Sequence, residues 1–187
     1  MSDPRRSDGG FLDVAIVGGG IAGVTLALGL LARNVNVKIY ERGRSFREIG
    51  AGIGFTANAE WAMKVLHPPI HDAFKRVAVQ NSNDWFTWVD SYGHDEKNPD
   101  DNRRELIHKM YLGERGFEGC HRADFLDELV KMLPEGTVEF QKNLHTIDES
   151  GNGGGVVLTF HDGTTAEADA GKHIITRAFI ASAGATQ

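Results

Sequence analysis

The chain has 187 residues, of which 41% are hydrophobic and 25% charged, and its formal net charge is −6. This length allows one domain with a substantial core but is short for two, and the composition is typical of a globular protein rather than a disordered one. The negative charge argues against a nucleic-acid partner or an anionic membrane surface. With a single cysteine, Cys120, no intramolecular disulfide can form, and no apolar run is long enough to span a bilayer, so we expect a cytoplasmic protein.

The first forty residues predict a βαβ unit. Residues 1–10 are polar and glycine-ended and predict a flexible tail. The apolar run Val14–Val17 predicts a buried strand, the Leu- and Ala-rich run Val24–Ala32 a helix, and the β-branched run Val35–Tyr40 a second strand. Such a unit requires parallel strands and a right-handed crossover.

The next segment predicts a loop and a short helix. Residues 42–56 are so rich in glycine that we expect no regular structure there. Asn58 is a good capping residue for a helix over Ala59–Leu66, and Pro68 and Pro69 would end it.

The middle of the chain is read as strands around a charged loop. Lys75–Val89 predicts strands, and its aromatic residues favour core packing over the alternative of an aromatic pocket: Trp85, Phe86 and Trp88. Residues 94–105 are highly charged and predict an exposed loop, and Ile107–Leu112 predicts another strand.

The C-terminal half predicts one helix and three strands. Ala123–Leu133 has helical apolar spacing, and Val138–Phe140 follows as a strand. Glycines 153–155 predict a hairpin tip before Val156–Phe160, and a two-residue Asp-Gly turn leads into the last strand, Thr165–Asp169.

The most informative motif is the glycine pattern between the first strand and the first helix. Gly18 allows a sharp turn, Gly20 allows the backbone to approach a pyrophosphate, and Gly23 allows close packing of the helix on the strands. The first helical N–H groups, those of Ile21 and Ala22, would point with the positive end of the helix dipole at a phosphate. Glycine-rich turns without a ligand are common, so the pattern alone is weak evidence.

An acidic residue at the end of the second strand strengthens this interpretation. Glu41 follows the glycines by about twenty residues, the position of the carboxylate that accepts hydrogen bonds from a nucleotide ribose. The alternative is a surface carboxylate beside Arg42 and Arg44. Strand, glycines, helix and acid in this order predict a dinucleotide site.

Three longer stretches carry a resemblance to a known family: YERGRSFREIGAGIGFTANA (40–59), GCHRADFLDELVKML (119–133) and VVLTFHDGTTAEAD (156–169). Together they resemble the flavin-dependent aromatic hydroxylases, the salicylate-hydroxylase-like group A monooxygenases. The Gly-x-Gly pattern before Asn-Ala is typical of that family, as is the arginine ahead of the middle helix. The Gly-x-Gly pattern before Asn-Ala favours a hydroxylase over other Rossmann flavoproteins such as amine oxidases or reductases.

The resemblance implies an α/β fold: a glutathione-reductase-type Rossmann domain over residues 11–170, with an antiparallel β excursion and substrate-side strands at about 75–117. It implies FAD as the cofactor, NAD(P)H as the electron donor, and O2-dependent hydroxylation of a small aromatic acid or phenol. No metal is expected, and the catalytic base stays unassigned.

The resemblance also assigns cofactor-binding residues by position. Gly18, Gly20 and Gly23, with Ile21 and Ala22 at the helix start, would line the pyrophosphate. Glu41, followed by Arg42, would meet the adenosine ribose, and Gly52 and Gly54 the flavin side. Arg122 would reach the phosphates, its planar donor fork being suited to them; the alternative is a solvated arginine at a helix start.

The family pattern stops near residue 169. The resemblance predicts an apolar strand and a Gly-x-Asp-Gly turn after this point, but residues 171–187 are atypical and contain no Asp-Gly pair. We therefore expect a truncated protein that lacks the third strand of the parallel sheet, binds FAD weakly and is inactive alone. Self-association through the incomplete sheet is expected. The alternative is a non-catalytic nucleotide-binding or regulatory fragment.

Overall fold

The computed structural model describes residues 12–46, 51–81, 83–90, 105–113, 117–149 and 155–169. The predicted tail at 1–10, the predicted charged loop at 94–105 except for its last residue, the predicted hairpin tip at 153–154 and the atypical end at 171–187 lie outside these ranges. Within them the chain forms fifteen elements. The helices are α1 Ile21–Leu31, α2 Ala57–Leu66, α3 Pro68–Val77 and α4 Arg122–Val130. The strands are β1 Asp13–Val17, β2 Asn36–Glu41, β3 Gly52–Thr56, β4 Val79–Gln80, β5 Trp85–Asp90, β6 Glu105–Tyr111, β7 Phe117–His121, β8 Val138–Phe140, β9 Leu144–Glu149, β10 Val156–Phe160 and β11 Thr165–Ala168.

A parallel sheet of order β1-β2-β8 forms the centre of the fold. Strands β1 and β2 pair in parallel with Ile16 opposite Ile39, which confirms the predicted βαβ unit. Strand β8 pairs in parallel with the other edge of β2, with Val138 opposite Ile39. The predicted strand Val138–Phe140 is thus confirmed as the third strand of the described parallel sheet. The strand that the resemblance predicts after residue 169 would fall outside the described residues.

Helix α1 packs on one face of this sheet, and the other helices enclose the larger core together with it. Its buried side chains come from every helix and from β1 and β2, and the fully buried ones include Val24, Ile39, Ile70 and Leu129. Phe55, Phe74 and Phe125 meet edge to face, with ring centres 5.2–5.8 Å apart. Burying each large apolar side chain contributes about 1.5–3 kcal/mol, so this core supplies most of the stability of the described fold.

The opposite face is covered by an antiparallel sheet of order β11-β10-β9. Val156, Leu158 and Phe160 alternate along β10 and are buried against the parallel sheet, where the rings of Tyr40 and Phe160 lie 4.9 Å apart. Burial raises the pKa of the Tyr40 phenol, and the nearby Glu139 carboxylate raises it further. The predicted strand Val156–Phe160 is thus confirmed, and one of its faces is buried.

The glycine-rich segment contains a strand, so the prediction of an irregular loop over residues 42–56 is wrong in its last third. Strand β3 pairs antiparallel with β7, and β4 pairs with the other side of β7. Gly54 lies under the Phe117 ring, and a Cβ atom there would lie 2.3 Å from a ring carbon. Glycine lowers strand propensity on average, but here it makes room for a neighbouring aromatic ring.

The two prolines begin a helix as well as ending one. Helix α2 ends at Leu66, as predicted, but α3 starts at once with Pro68 and Pro69 in its first two positions, where their missing N–H groups cost nothing. The strand predicted from Lys75 is therefore helical until Val77. The N-cap of α2 is Thr56 and not Asn58, whose side chain accepts a hydrogen bond from the Thr56 hydroxyl.

The β5–β6 hairpin does not bury its aromatic side chains within the described part of the chain. Trp85, Phe86 and Trp88 are 38–40% exposed, and Ile107 on β6 is 67% exposed. The prediction that the three aromatic residues are core residues is wrong, because the only ring contact from this hairpin to another described element is from Phe86 to Phe117.

The turn between β10 and β11 has three residues rather than the predicted two. The Phe160 N–H donates to the Thr164 carbonyl, and the Gly163 N–H donates to the Phe160 carbonyl, both at 2.9 Å. Gly163 has φ +80°, the left-handed conformation that closes a three-residue hairpin loop.

Candidate nucleotide-binding site

The predicted glycine turn joins the carboxyl end of β1 to the start of α1. Gly18 has φ +106°, and its N–H donates to the Tyr40 carbonyl at 2.9 Å, which fixes the turn beside the end of β2. Residues with a Cβ rarely adopt this conformation, so glycine is required at this position. The turn therefore lies where ligands bind in open α/β sheets, at the carboxyl ends of the parallel strands.

Gly23 permits the closest backbone approach in this region. A Cβ atom at Gly23 would lie 2.0 Å from the Gly18 carbonyl oxygen and 3.3 Å from Ile16 Cγ2. Helix α1 can pack against the turn and β1 only because this side chain is absent. The packing role expected for the third glycine has this physical basis.

Within the described residues, no side chain caps the amino end of α1. Gly20 is the N-cap in an extended conformation, no side chain caps the helix, and its first turn contains no acidic residue. The Gly20 carbonyl accepts the first helical hydrogen bond, from Val24 N–H at 3.0 Å. The N–H groups of Ile21 and Ala22 thus form the uncapped, positive end of the helix, which favours an anionic ligand.

The Glu41 carboxylate connects the glycine turn to the segment after β2 through hydrogen bonds, a role that the sequence motif did not reveal. One carboxylate oxygen accepts a hydrogen bond from Gly19 N–H and the other from Gly43 N–H, each at 2.7 Å. Each oxygen can still accept another hydrogen bond, as a ribose hydroxyl would require. Arg42, the next residue, is exposed.

The remaining predicted residues lie on β3, which contains Gly52 and Gly54, and at the start of α4, which begins with Arg122. Gly52 pairs with His121, and the N–H of Arg122 donates to the Ala51 carbonyl at 3.0 Å, so the start of α4 lies beside Gly52. No atom outside the neighbouring residues lies within 4 Å of a Cβ built on Gly52, whereas Gly54 is covered by Phe117. The predicted residues thus form two groups, the glycine turn with Glu41 and the pair Gly52–Arg122, which are linked by the packing of α1 on α4.

A buried ionic network between α2, α3 and β7 was not predicted. Lys75 Nζ lies 2.8 Å from the Glu60 carboxylate and 2.6 Å from that of Glu118, and His71 Nε2 lies 3.1 Å from Glu60. Burial by itself would raise the pKa of Glu60, but hydrogen bonds from Lys75 and His71 outweigh it and hold the pKa below the ordinary carboxyl value. Burial by itself would lower the pKa of Lys75. Its hydrogen bonds to the Glu118 and Glu60 carboxylates outweigh this effect and hold the pKa above the ordinary lysine value.

One of the two histidines near the prolines belongs to this network. His67 is the N-cap of α3 and His71 lies within that helix, paired with Glu60. No group of three or more His, Cys, Asp or Glu side chains in the described ranges is placed to hold a metal ion. None of the helices in those ranges is long and apolar enough to cross a membrane.

Comparisons with known proteins agree with this geometry. Residues 15–171 match the FAD-NAD(P)-binding family, which is most of the chain. The chain therefore belongs to this family. Its relatives include a dual trans-enoyl reductase/FAD-dependent monooxygenase of Aspergillus terreus, 69% identical over 84% of the chain and 21% of the relative. An FAD-dependent monooxygenase of Aspergillus niger is 59% identical over 85% of the chain and 37% of the relative.

Two further comparisons support the salicylate-hydroxylase resemblance. A salicylate hydroxylase of Sarocladium schorii is 42% identical over 85% of the chain and 34% of the relative. The solved structure of a salicylate hydroxylase substrate complex is 34% identical, with a TM-score of 0.61 over 84% of the chain and 34% of that structure. The 2,6-dihydroxypyridine-3-hydroxylase of Arthrobacter nicotinovorans, at 21% identity and a TM-score of 0.60, has the same fold. The chain spans a fifth to just over a third of the length of these relatives.

The residues of the site fit FAD. The Gly18–Gly23 turn and the uncapped end of α1 suit its pyrophosphate, and Glu41 retains acceptor capacity for its ribose. The chain matches part of the flavin monooxygenases to which it is similar, and its family supports FAD as its cofactor.

Proposed function

We propose that the chain binds FAD through the predicted residues and serves a monooxygenase that uses NAD(P)H and O2 to hydroxylate a small aromatic acid or phenol. The observation that carries the proposal is the uncapped amino end of α1 beside the Gly18–Gly23 turn, together with the carboxylate of Glu41. When bound, FAD supplies the redox chemistry that activates O2.

Each group of residues has a distinct task in this proposal. Gly18 and Gly20 admit the pyrophosphate to the backbone, and the first N–H groups of α1, from Ile21, Ala22 and Gly23, bind its oxygens. The Glu41 carboxylate accepts a hydrogen bond from a ribose hydroxyl while it keeps those from the N–H groups of Gly19 and Gly43. Arg42 lies at the rim of this site.

The second group serves the other half of the cofactor. Gly52, which has open space where a Cβ atom would lie, and Gly54 face the flavin half of the cofactor. Arg122 directs its guanidinium to the phosphates. The aromatic substrate and the electron donor are assigned by likeness to the relatives, among them the salicylate hydroxylases.

FAD titration followed by flavin fluorescence tests the cofactor assignment. We expect the chain to bind FAD more tightly than FMN, which lacks the adenosine half that Glu41 would meet. Arg122→Met should weaken FAD binding by at least about tenfold, the value of one charge-assisted contact. Arg76→Met is the matched control, since Arg76 is a half-exposed partner of Glu128 outside the site. Equal binding of FAD by the chain and by Arg122→Met would contradict the role of Arg122, and no binding of FAD would contradict the site.

Flavin reduction tests the electron donor separately. NADH or NADPH is mixed anaerobically with the FAD-loaded chain, and loss of the visible flavin band is followed with and without salicylate. Reduction by either nucleotide supports the proposal. Reduction by neither, in a chain that binds FAD, favours a non-catalytic nucleotide-binding fragment.

A further inference from the structure

Two histidines meet on the outer surface of the β9-β10-β11 sheet. His145 is the second residue of β9, and His161 directly follows β10. Their ring centres lie 4.7 Å apart, with an angle of 55° between the ring planes. The backbone fixes this approach, because the His161 N–H donates to the Asn143 carbonyl at 2.9 Å. A register shift between Thr159 and Phe160 accompanies it at this end of the β9–β10 pair.

The separation of the rings matches that of two imidazoles bound to one metal ion. A Zn–N bond is about 2.0–2.1 Å long and a ring nitrogen lies about 1.1 Å from its ring centre, so each ring centre lies about 3.2 Å from the metal. For angles at the metal between square and tetrahedral, the two ring centres are then about 4.5–5.2 Å apart. The observed distance falls in this range without movement of the strands.

Both rings are available for coordination. Each histidine is exposed, and within the described ranges neither ring takes part in a hydrogen bond or an ion pair. One cation at this end of the sheet is Lys142, whose Nζ lies 2.9 Å from Asp162 and 2.7 Å from the Thr164 hydroxyl. Its charge is thereby balanced by a carboxylate, so that it does not oppose a bound dication strongly.

We propose that His145 and His161 form a two-imidazole site for a divalent first-row transition metal ion, of the Zn²⁺, Ni²⁺ or Cu²⁺ class, with water at the remaining positions. Neutral imidazole is a good ligand for these ions and a poor one for Mg²⁺ and Ca²⁺, which prefer oxygen. The site does not depend on the proposed function.

Metal binding here would clamp β9 to the β10–β11 turn. This end of the sheet also contacts the segment that follows β2, because Lys142 N–H donates to the Glu41 carbonyl at 2.9 Å and Gln141 N–H donates to the Gly43 carbonyl at 2.8 Å. An ion that binds only the folded chain stabilises it by mass action. The clamp therefore adds to the stability of the region that holds Glu41.

Calorimetric titration of the full chain with Zn²⁺ tests the proposal. The parent should bind Zn²⁺, and His145→Asn and His161→Asn should each weaken that binding at least tenfold, because a single imidazole loses the chelate. His108→Asn is the matched control, since His108 is an exposed strand histidine outside the pair; its affinity should stay within twofold of the parent. Mg²⁺ should give no binding at this site.

The thermal midpoint provides a second readout and shows that the variants fold. Zn²⁺ should raise the midpoint of the parent and of His108→Asn, and should leave that of the His145→Asn/His161→Asn double variant unchanged. Circular dichroism of each variant without metal should match the parent. Parent-like Zn²⁺ affinity in either single variant, equal binding of Mg²⁺, or no Zn²⁺ binding by the parent would overturn the proposal.

Discussion

The βαβ unit and the β5–β6 hairpin are both rich in large apolar side chains, but they bury them to very different degrees. Val24 on α1 and Ile39 on β2 are fully buried, whereas Leu106 and Ile107 on β6 are 56% and 67% exposed. The βαβ unit is covered by its own helix and by α3 and α4, while the hairpin touches the rest of the described fold at Phe117. Apolar content therefore predicts a strand in both regions, and only the neighbours decide whether the strand is a core strand.

The test with the largest expected effect removes the close approach between Gly23 and the Gly18 carbonyl oxygen, on which the packing of the βαβ unit depends. Gly23→Ala places a methyl group 2.0 Å from a backbone oxygen that cannot move without opening the turn. We expect a loss of about 4 kcal/mol in the free energy of unfolding, measured by urea denaturation. Gly52→Ala is the control, because its methyl group meets nothing within 4 Å, and it should cost less than about 0.5 kcal/mol. Equal losses would show that backbone crowding does not limit the turn.

The second test compares two isoleucines on strands of the two regions. Ile39→Ala removes a fully buried side chain between α1 and the sheet and should cost about 3 kcal/mol. Ile107→Ala removes a mostly exposed one and should cost about 0.5 kcal/mol or less. Both are measured by the same denaturation. A cost of 2 kcal/mol or more at Ile107 would mean that the hairpin is covered in solution.

The third test lies at β7, which contacts the hairpin on one side and α3 on the other. Lys75→Met leaves the carboxylates of Glu60 and Glu118 without their shared cation. The free energy of unfolding should fall by about 2 kcal/mol at neutral pH, less than for a fully buried pair because Lys75 is partly exposed. Lys131→Met is the control, since Lys131 is an exposed partner of Glu128 and should cost less than about 0.5 kcal/mol.

The pH dependence of that difference has a definite sign. Because the pKa of Glu60 is held below its ordinary value of 4.5, its ion pair stabilises the fold fully above that value and less as the pH falls through the lowered pKa. The raised pKa of Lys75 makes its contribution disappear only above its ordinary value of 10.5. The parent should therefore lose its advantage over Lys75→Met in acid, as followed by denaturation between neutral pH and about pH 3. A constant difference across this range would exclude the pair as its origin.

Much of the candidate site could be predicted from the sequence because its signals are local. Gly18, Gly20, Gly23 and Glu41 stand at spacings that one strand–turn–helix–strand unit imposes, and the structure brings them together. The pairing of β3 with β7 could not be predicted, since it joins residues up to about seventy positions apart.

The sequence by itself determined the βαβ unit, the helix before β8, the hairpin of β10 and β11, and the family. Periodicity and turn chemistry act between near neighbours and are written directly in the chain. Only the tertiary structure decided that Trp85 and Trp88 stay exposed, that Glu60 is buried with Lys75, and that His145 meets His161. The physical reason is that burial and side-chain pairing depend on how the helices and strands pack against one another. The local sequence pattern does not determine which of their surfaces come into contact.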